Sequence, residues 1–210
     1  DGGYGGNASD YYLIPGGGGA GGQGGSILIA GTGAVVNVTG TLEATGGWGG
    51  TSQYYAGGAG GAGGVIDIGD NGASPVASVT LDGTLAVVGG SGGDNSFSST
   101  SGGNGGDAGS VRIFASGTLT FNGAIEAGNG EYINGSYGGS GHGGQGDSQP
   151  GAGGKGGDIV FSADGGIEIT QSAVIDVTGG RGADNFGEGG ASGRGGAGGV
   201  TGQGGNACVI

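Results

Sequence analysis

The sequence predicts an all-β repeat protein, a parallel β-solenoid-like stack of about four coils with polyglycine II hairpins packed as a side layer and no α-helix. Three observations predict this fold. Glycine supplies 69 of the 210 residues and recurs largely with a period of three. A block of alternating apolar residues occurs four times, and no segment has the spacing of an amphipathic helix. The repeats extend over residues 1–210, which we treat as a single repeat domain.

The glycine runs have the form Gly-Gly-x, which Gly57 to Gly64 and Gly18 to Gly25 keep without interruption. Three residues per turn is the period of the polyproline II helix, which has no internal hydrogen bonds. Two glycines per turn leave two edges of each segment without side chains, so neighbouring segments can approach and hydrogen-bond. The third residue is expected to face outward. Collagen also repeats glycine with this period but needs abundant proline, and this chain has three prolines.

Each repeat opens with a short alternating apolar segment, which predicts a strand. The four segments are Ser26-Ile27-Leu28-Ile29, Val65-Ile66-Asp67-Ile68, Ser110-Val111-Arg112-Ile113 and Asp158-Ile159-Val160-Phe161. The second part of the repeat comprises residues 38–44, 81–87, 121–127 and 169–177, the last with a two-residue insertion, and its alternating apolar residues also have strand period. Equivalent positions are 39, 45 and 48 residues apart, so the length varies in loops. The repeats span approximately 16–58, 59–103, 104–144 and 145–203, followed by a partial strand at 204–210.

Composition limits the partners. Four Lys and Arg residues against seventeen Asp and Glu residues argue against nucleic acid. No apolar stretch approaches the ~20 residues of a membrane helix, so we expect no membrane insertion. The chain contains no methionine. We therefore expect that Asp1 follows a processing site or a domain boundary, and that the protein is secreted to the cell surface or the extracellular space.

Catalysis has few candidate residues, and we expect that the protein is not an enzyme. His142 is the only histidine and lies in a glycine run, and Cys208 has no local partner residue. Paired carboxylates can cleave glycosides. The candidates are Asp82, Glu126, Asp164 and Asp176. The strand alternation places them on the outer face, where solvated surface charge is the expected role.

The sequence predicts no cofactor and no metal site, with calcium as the alternative. The calcium-binding β-roll nonapeptide matches residues 153–161 and 179–187. These matches are not in tandem, whereas a calcium roll needs carboxylates from successive turns. Looser binding could use Asp67, Asp70 and Asn71. Calcium needs six to eight oxygen ligands, and the segment offers too few.

An aromatic residue occurs at every predicted hairpin tip. The tip residues are Tyr11, Tyr12, Tyr54, Tyr55, Phe97, Tyr132, Tyr137 and Phe186. Exposed aromatic side chains among polar residues and glycine are typical of contact surfaces. Three roles stay open: the rings cover the ends of the glycine layer, contact another subunit, or bind a ligand.

With its Gly-Gly-x-Gly-Gly segments and its Gly-Thr-Leu strand ends, the chain resembles glycine-rich bacterial surface proteins with β-solenoid repeats. It is similar also to two polyglycine II families, the tail-tip adhesins of certain phages and the snow-flea-type antifreeze proteins. The resemblance to the adhesins implies receptor binding by the loops at the hairpin tips.

The leading functional hypothesis is a structural subunit of an extracellular bacterial filament or surface layer, with the protein itself as partner in a head-to-tail homopolymer. The two ends of the predicted solenoid are unlike, and unlike complementary ends generate open fibres. The predicted junction comprises Asn206, Ala207, Cys208, Val209 and Ile210, which would add as a strand to the next subunit. The alternative is an adhesin that binds a receptor or a cell-surface glycan through the aromatic tips.

Overall fold

The computed structural model describes residues 1–8, 16–70, 73–95, 100–128 and 150–183, together with the backbone of Ala207–Val209. Every strand in these residues pairs in parallel with its neighbours. The strands in chain order are β1 (Ser26–Ile29), β2 (Val35–Val38), β3 (Thr41–Glu43), β4 (Val65–Ile68), β5 (Ser78–Leu81), β6 (Thr84–Ala86), β7 (Ser110–Ala115), β8 (Leu119–Phe121), β9 (Ala124–Glu126), β10 (Asp158–Ala163), β11 (Ile167–Ile169), β12 (Val174–Asp176) and β13 (Ala207–Val209).

Three consecutive strands make one coil, and corresponding strands of successive coils lie side by side. The first coil is β1–β3, the second β4–β6, the third β7–β9 and the fourth β10–β12. The coils build three sheets with the orders β1-β4-β7-β10, β13-β11-β8-β5-β2 and β12-β9-β6-β3. The predicted parallel β-solenoid-like stack is therefore confirmed.

The register of the first sheet follows the repeat spacing of the sequence. Ile27 pairs with Ile66, Ile66 with Val111, and Val111 with Ile159. Each step of 39, 45 or 48 residues is thus one full coil. The differences in length lie outside the strands, as predicted.

The second part of each repeat contains a corner between two strands. In the first coil β2 ends at Val38 and β3 begins at Thr41. In the second coil the N–H groups of Asp82 and Gly83 both donate to the carbonyl of Val38, at 2.9 and 2.8 Å. A Cβ on Gly83 would overlap the carbonyl oxygen of Gly40, so glycine is needed at this stacked corner. The insertion of the fourth repeat falls in the same corner, between β11 and β12.

The alternating apolar side chains point inward and form one continuous core. Register partners carry the same apolar position from coil to coil, as in Val38, Leu81, Phe121 and Ile169. The ring of Phe121 is fully buried, and its centroid lies 5.9 Å from that of Phe161. Burial of such side chains contributes about 1.5–3 kcal/mol each. Packing between coils thus reinforces the backbone pairing.

The glycine segments form a second hydrogen-bonded layer between the third and the first sheet. We call residues 1–8, 44–52 and 87–95 the outgoing legs, because the second and third of them leave a coil. Residues 16–25, 56–64, 101–109 and 150–157 are the returning legs, which enter a coil. Successive legs of one kind are joined in parallel, and legs of different kind are joined antiparallel.

One Gly-Gly-x triplet shows how a leg uses its three edges. The N–H of Gly46 donates to the carbonyl of Val88 in the next outgoing leg at 2.9 Å. The N–H of Gly47 donates to the carbonyl of Gly22 in a returning leg at 2.8 Å. The third residue, Trp48, is exposed. These bonds between legs at a period of three are the polyglycine II arrangement that the sequence predicted.

The close approach of the legs requires glycine at two positions in three. A Cβ on Gly46 would overlap the carbonyl oxygen of Gly61, and one on Gly47 would overlap that of Gly3. These contacts are with backbone, which cannot rotate out of the way. Within the uninterrupted Gly-Gly-x runs, larger residues are therefore confined to the third position.

Several third positions carry an Asn or Asp that binds the next leg. In each case the side-chain oxygen accepts a hydrogen bond from the backbone N–H of the third residue on the neighbouring leg. The bonds are Thr51 N to Asn7 Oδ1 at 2.9 Å, Ala152 N to Asn104 Oδ1 at 2.9 Å and Lys155 N to Asp107 Oδ1 at 2.8 Å. The backbone hydrogen bonds between legs do not use these outward N–H groups, so the side-chain oxygens supply their acceptors.

Candidate binding surfaces

The described hairpin tip, residues 52–56, is held by buried polar side chains. Ser52 is buried and forms β-bridges to Ala8 and Asn95 of the adjacent outgoing legs. The N–H of Tyr55 donates to Ser52 Oγ at 3.0 Å. The side-chain amide of Asn95 donates to the carbonyl of Tyr55 and to the hydroxyl of Thr100. The tip backbone is thus fixed by contacts from two coils.

The two tyrosines of this tip differ in exposure. Tyr55 is 39 % exposed, whereas Tyr54 is half-buried and interacts with other residues. Tyr54 therefore fits the covering role that the sequence left open, and Tyr55 presents a ring to solvent. The other predicted tip residues lie outside the described residues; they are Tyr11, Tyr12, Phe97, Tyr132, Tyr137 and Phe186.

The predicted junction strand is present as β13, comprising Ala207, Cys208 and Val209. It pairs in parallel with β11 of the same chain, Cys208 opposite Glu168. β13 is the outermost strand of the second sheet. Asn206 and Ile210 lie outside the described residues.

Two exposed aromatic rings meet on the face made by the third residues of the outgoing legs, a pair that the sequence analysis did not single out. Tyr4 and Trp48 occupy the same place in successive legs, and Gly5 N donates to Trp48 O at 2.8 Å. Their ring centroids are 5.8 Å apart with the planes at 90°. Tyr4 is 77 % exposed and Trp48 52 %. In the sequence, the matching segments Gly-Gly-Tyr-Gly-Gly and Gly-Gly-Trp-Gly-Gly indicated that the two rings occupy equivalent positions.

The expectation of solvated surface charge holds for Asp82 and Asp164, which are exposed, but is wrong for Asp176. Asp176 is buried, and its Oδ1 accepts hydrogen bonds from the N–H and the hydroxyl of Thr178, at 2.9 and 2.8 Å. It lies against Gly128, where a Cβ would overlap the carboxylate. Asp176 is thus buried although strand alternation places it outside.

Glu126 is half-buried, so it too departs from the prediction. It pairs with Asp176 on one side and Ala86 on the other, with Glu43 one strand further. Burial raises the pKa of Glu126, and the charges of Asp176 and Glu43 raise it further. Glu126 Oε1 is buried, with no hydrogen-bond partner among the described residues.

Of the three residues considered for calcium, the structure describes Asp67 and Asp70. Asp67 is buried on β4, and Asp70 follows it in a turn with a φ of 47°. Asn71 lies outside the described residues, as does His142. Among the described residues, no three His, Cys, Asp or Glu side chains come together as metal ligands. None of the elements in these ranges is a helix long and apolar enough to cross a bilayer.

Comparison of the chain with protein-family models, with curated proteins and with solved structures found no match.

Proposed function

We propose that the protein is a non-catalytic structural subunit of an extracellular filament or surface layer, which polymerises head-to-tail by stacking of its solenoid ends. The observation that carries this proposal is the open surface of the first coil. It presents the same kind of interface that joins one coil to the next inside the molecule.

The apolar core is open at the first coil. Ile27 and Leu42 are only partly buried, whereas their register partners Ile66 and Leu85 in the second coil are fully buried. The first coil has a neighbouring coil on one side only within the described residues. A coil from another copy would bury this apolar surface at about 25 cal/mol per Å².

The glycine layer is open at the same end. Gly47 and Gly50 fit against the carbonyls of Gly3 and Gly6, the equivalent residues of the preceding outgoing leg. Around Gly3 and Gly6 themselves, a Cβ would meet nothing within 4 Å. This edge has the shape that receives another glycine leg.

The two outermost strands of the second sheet, β2 and β13, lie at opposite ends of the stack. Edge strands offer unpaired backbone groups to other chains. Pairing of β13 with β2 of another copy would continue the sheet in parallel, and such a heterologous contact repeats without closing. The junction residues 206–210 would then act through the outer edge of β13.

Negative-stain electron microscopy of the purified chain tests the proposal. We expect uniform fibres from the intact protein and folded monomers after deletion of Asn206–Ile210. Cys208→Ser is the matched control, because it keeps the backbone of β13 and removes disulfide formation between copies. It should polymerise like the intact chain. Normal fibres from the deletion variant would exclude the junction, and an intact chain that stays monomeric at high concentration would exclude the filament.

A receptor-binding adhesin is the second candidate function, favoured by the fixed tip that exposes Tyr55. A pre-ordered loop with an exposed aromatic ring loses little conformational entropy on binding. In this case the chain would stay monomeric and bind to cells or to a cell-surface glycan. The same micrographs, together with a cell-binding assay, separate the two functions.

A further inference from the structure

The pair of Tyr4 and Trp48 lies on the face made by the third residues of the outgoing legs. The leg of Trp48 is bonded on both sides, as in Gly47 N to Gly22 O at 2.8 Å, and Gly5 N in the leg of Tyr4 donates to Trp48 O at 2.8 Å. Neither ring is needed to cover the core, because each points outward and at least half of it is exposed. Solvent-exposed aromatic rings on a rigid frame present π surface to a ligand.

The angle between the rings decides which shape of ligand fits. A pyranose ring stacks on a flat aromatic platform, but the planes of Tyr4 and Trp48 are perpendicular. Both rings of this edge-to-face pair keep exposed surface, and perpendicular planes suit a compact, rounded group better than a flat one. The electron-rich faces of both rings attract positive charge.

The charge of the whole chain favours the same ligand. Its formal net charge is −13. The third residues of the three outgoing legs include Asp94 and Asp1, whereas the corresponding residue of the later segment 178–183 is Arg181. Attraction of a cation and exclusion of an anion follow from the total charge.

From these observations we infer that Tyr4 and Trp48 form a binding site for a quaternary ammonium group. A primary ammonium is strongly hydrated and would have to give up water at an exposed site, whereas a methylated ammonium is not a hydrogen-bond donor. The ligand is a choline-type cation, either free or displayed on a polymer or a lipid headgroup. This site does not depend on the proposed stacking of the subunits.

Fluorescence of Trp48, the only tryptophan, reports binding directly. The experiment titrates the intact protein with choline chloride, with sodium chloride at equal ionic strength as the blank. The neutral carbon isostere of choline, dimethylbutanol, is titrated in parallel. We expect a saturable change with choline in the millimolar range, as an exposed two-ring site allows, and none with the isostere.

Two variants assign the signal to the ring pair. Tyr4→Leu removes one π surface and leaves Trp48 as reporter, and we expect it to weaken choline binding by about fivefold. Tyr4→Phe keeps the ring and should bind like the original chain. Melting curves check that both variants are folded, which the exposure of Tyr4 leads us to expect.

Several results would overturn the inference. One is an equal response to choline and to its neutral isostere, and another is no saturable response to choline. Tighter binding of a neutral oligosaccharide than of choline would show that the face is a sugar platform instead. Titration with phosphatidylcholine vesicles, beside free choline, distinguishes a lipid headgroup from a free ligand. A site for clustered headgroups would bind the vesicles more tightly than it binds free choline.

Discussion

Glu126 and Asp176 are register partners on the adjacent strands β9 and β12, and Oε1 of Glu126 is buried beside Asp176 with no hydrogen-bond partner in the described part of the chain. Burial, together with the charges of Asp176 and Glu43, raises the pKa of Glu126 above its ordinary value of 4.5. Because the folded-state pKa is the higher one, protonated Glu126 stabilises the fold below pH 4.5. This stabilisation is lost as the pH rises through the folded-state pKa.

Glu126→Gln should therefore raise the melting temperature at neutral pH by about 1–3 °C. The neutral amide removes the charge repulsion and can donate a hydrogen bond to a neighbouring carboxylate. The gain should shrink as the pH falls toward 4.5, the ordinary value for this side chain. Thermal unfolding followed by circular dichroism across this pH range measures it, with the exposed Asp164→Asn as control. A lower melting temperature for Glu126→Gln at neutral pH would contradict this account of the carboxylates.

Gly50→Val should destabilise the protein strongly. A Cβ at residue 50 would overlap the carbonyl oxygen of Gly6, and overpacking of this kind costs about 1–3 kcal/mol or more. Ala59→Ser is the control, since Ala59 is an exposed third residue of a returning leg. Its melting temperature should stay near that of the original chain. Equal effects of the two substitutions would be incompatible with the packing of the glycine layer.

Asp107→Ala should lower the free energy of unfolding by about 1 kcal/mol, because the N–H of Lys155 loses its acceptor. Asp107→Asn retains a side-chain oxygen at the same place and should restore most of the stability. Chemical denaturation measures both variants. If asparagine proves as harmful as alanine, the hydrogen bond across the legs is not the cause.

The two tyrosines of the described tip should respond differently to substitution. Tyr54→Ser removes a half-buried ring and should cost about 1 kcal/mol, whereas Tyr55→Ser should leave the melting temperature nearly unchanged. Fibre formation and cell binding are then measured with Tyr55→Ser. Loss of cell binding with intact monomers would favour the adhesin, and weaker polymerisation would favour a subunit contact. Unfolding of Tyr55→Ser would mean that this ring only covers the layer.

The alternation of apolar residues predicted the strands, and the spacing of the repeats predicted their register. The corner at Gly40 was not predicted. Val38, Gly40 and Leu42 keep an even spacing, so the apolar phase continues through the turn as if through one strand. Both flanking residues face the core, one from β2 and one from β3. A glycine at an inward position was the one local sign of the corner.

The candidate surfaces were harder to predict because they depend on which residues meet between coils. Tyr4 and Trp48 are far apart in sequence, and only the stacking of their legs brings the rings to 5.8 Å. Asp176 likewise lies against Gly128, which belongs to another coil. Period and alternation describe one coil and do not reveal these contacts.

Polymerisation of Gly6→Val tests the stacking of the ends most directly. A Cβ at residue 6 meets nothing within 4 Å in the monomer, yet the side chain of valine there would block a glycine leg from another copy. Sedimentation velocity should show large polymers for the original chain and a monomer with an unchanged melting temperature for Gly6→Val. Normal polymers from Gly6→Val, or a monomeric original chain, would contradict the proposed assembly.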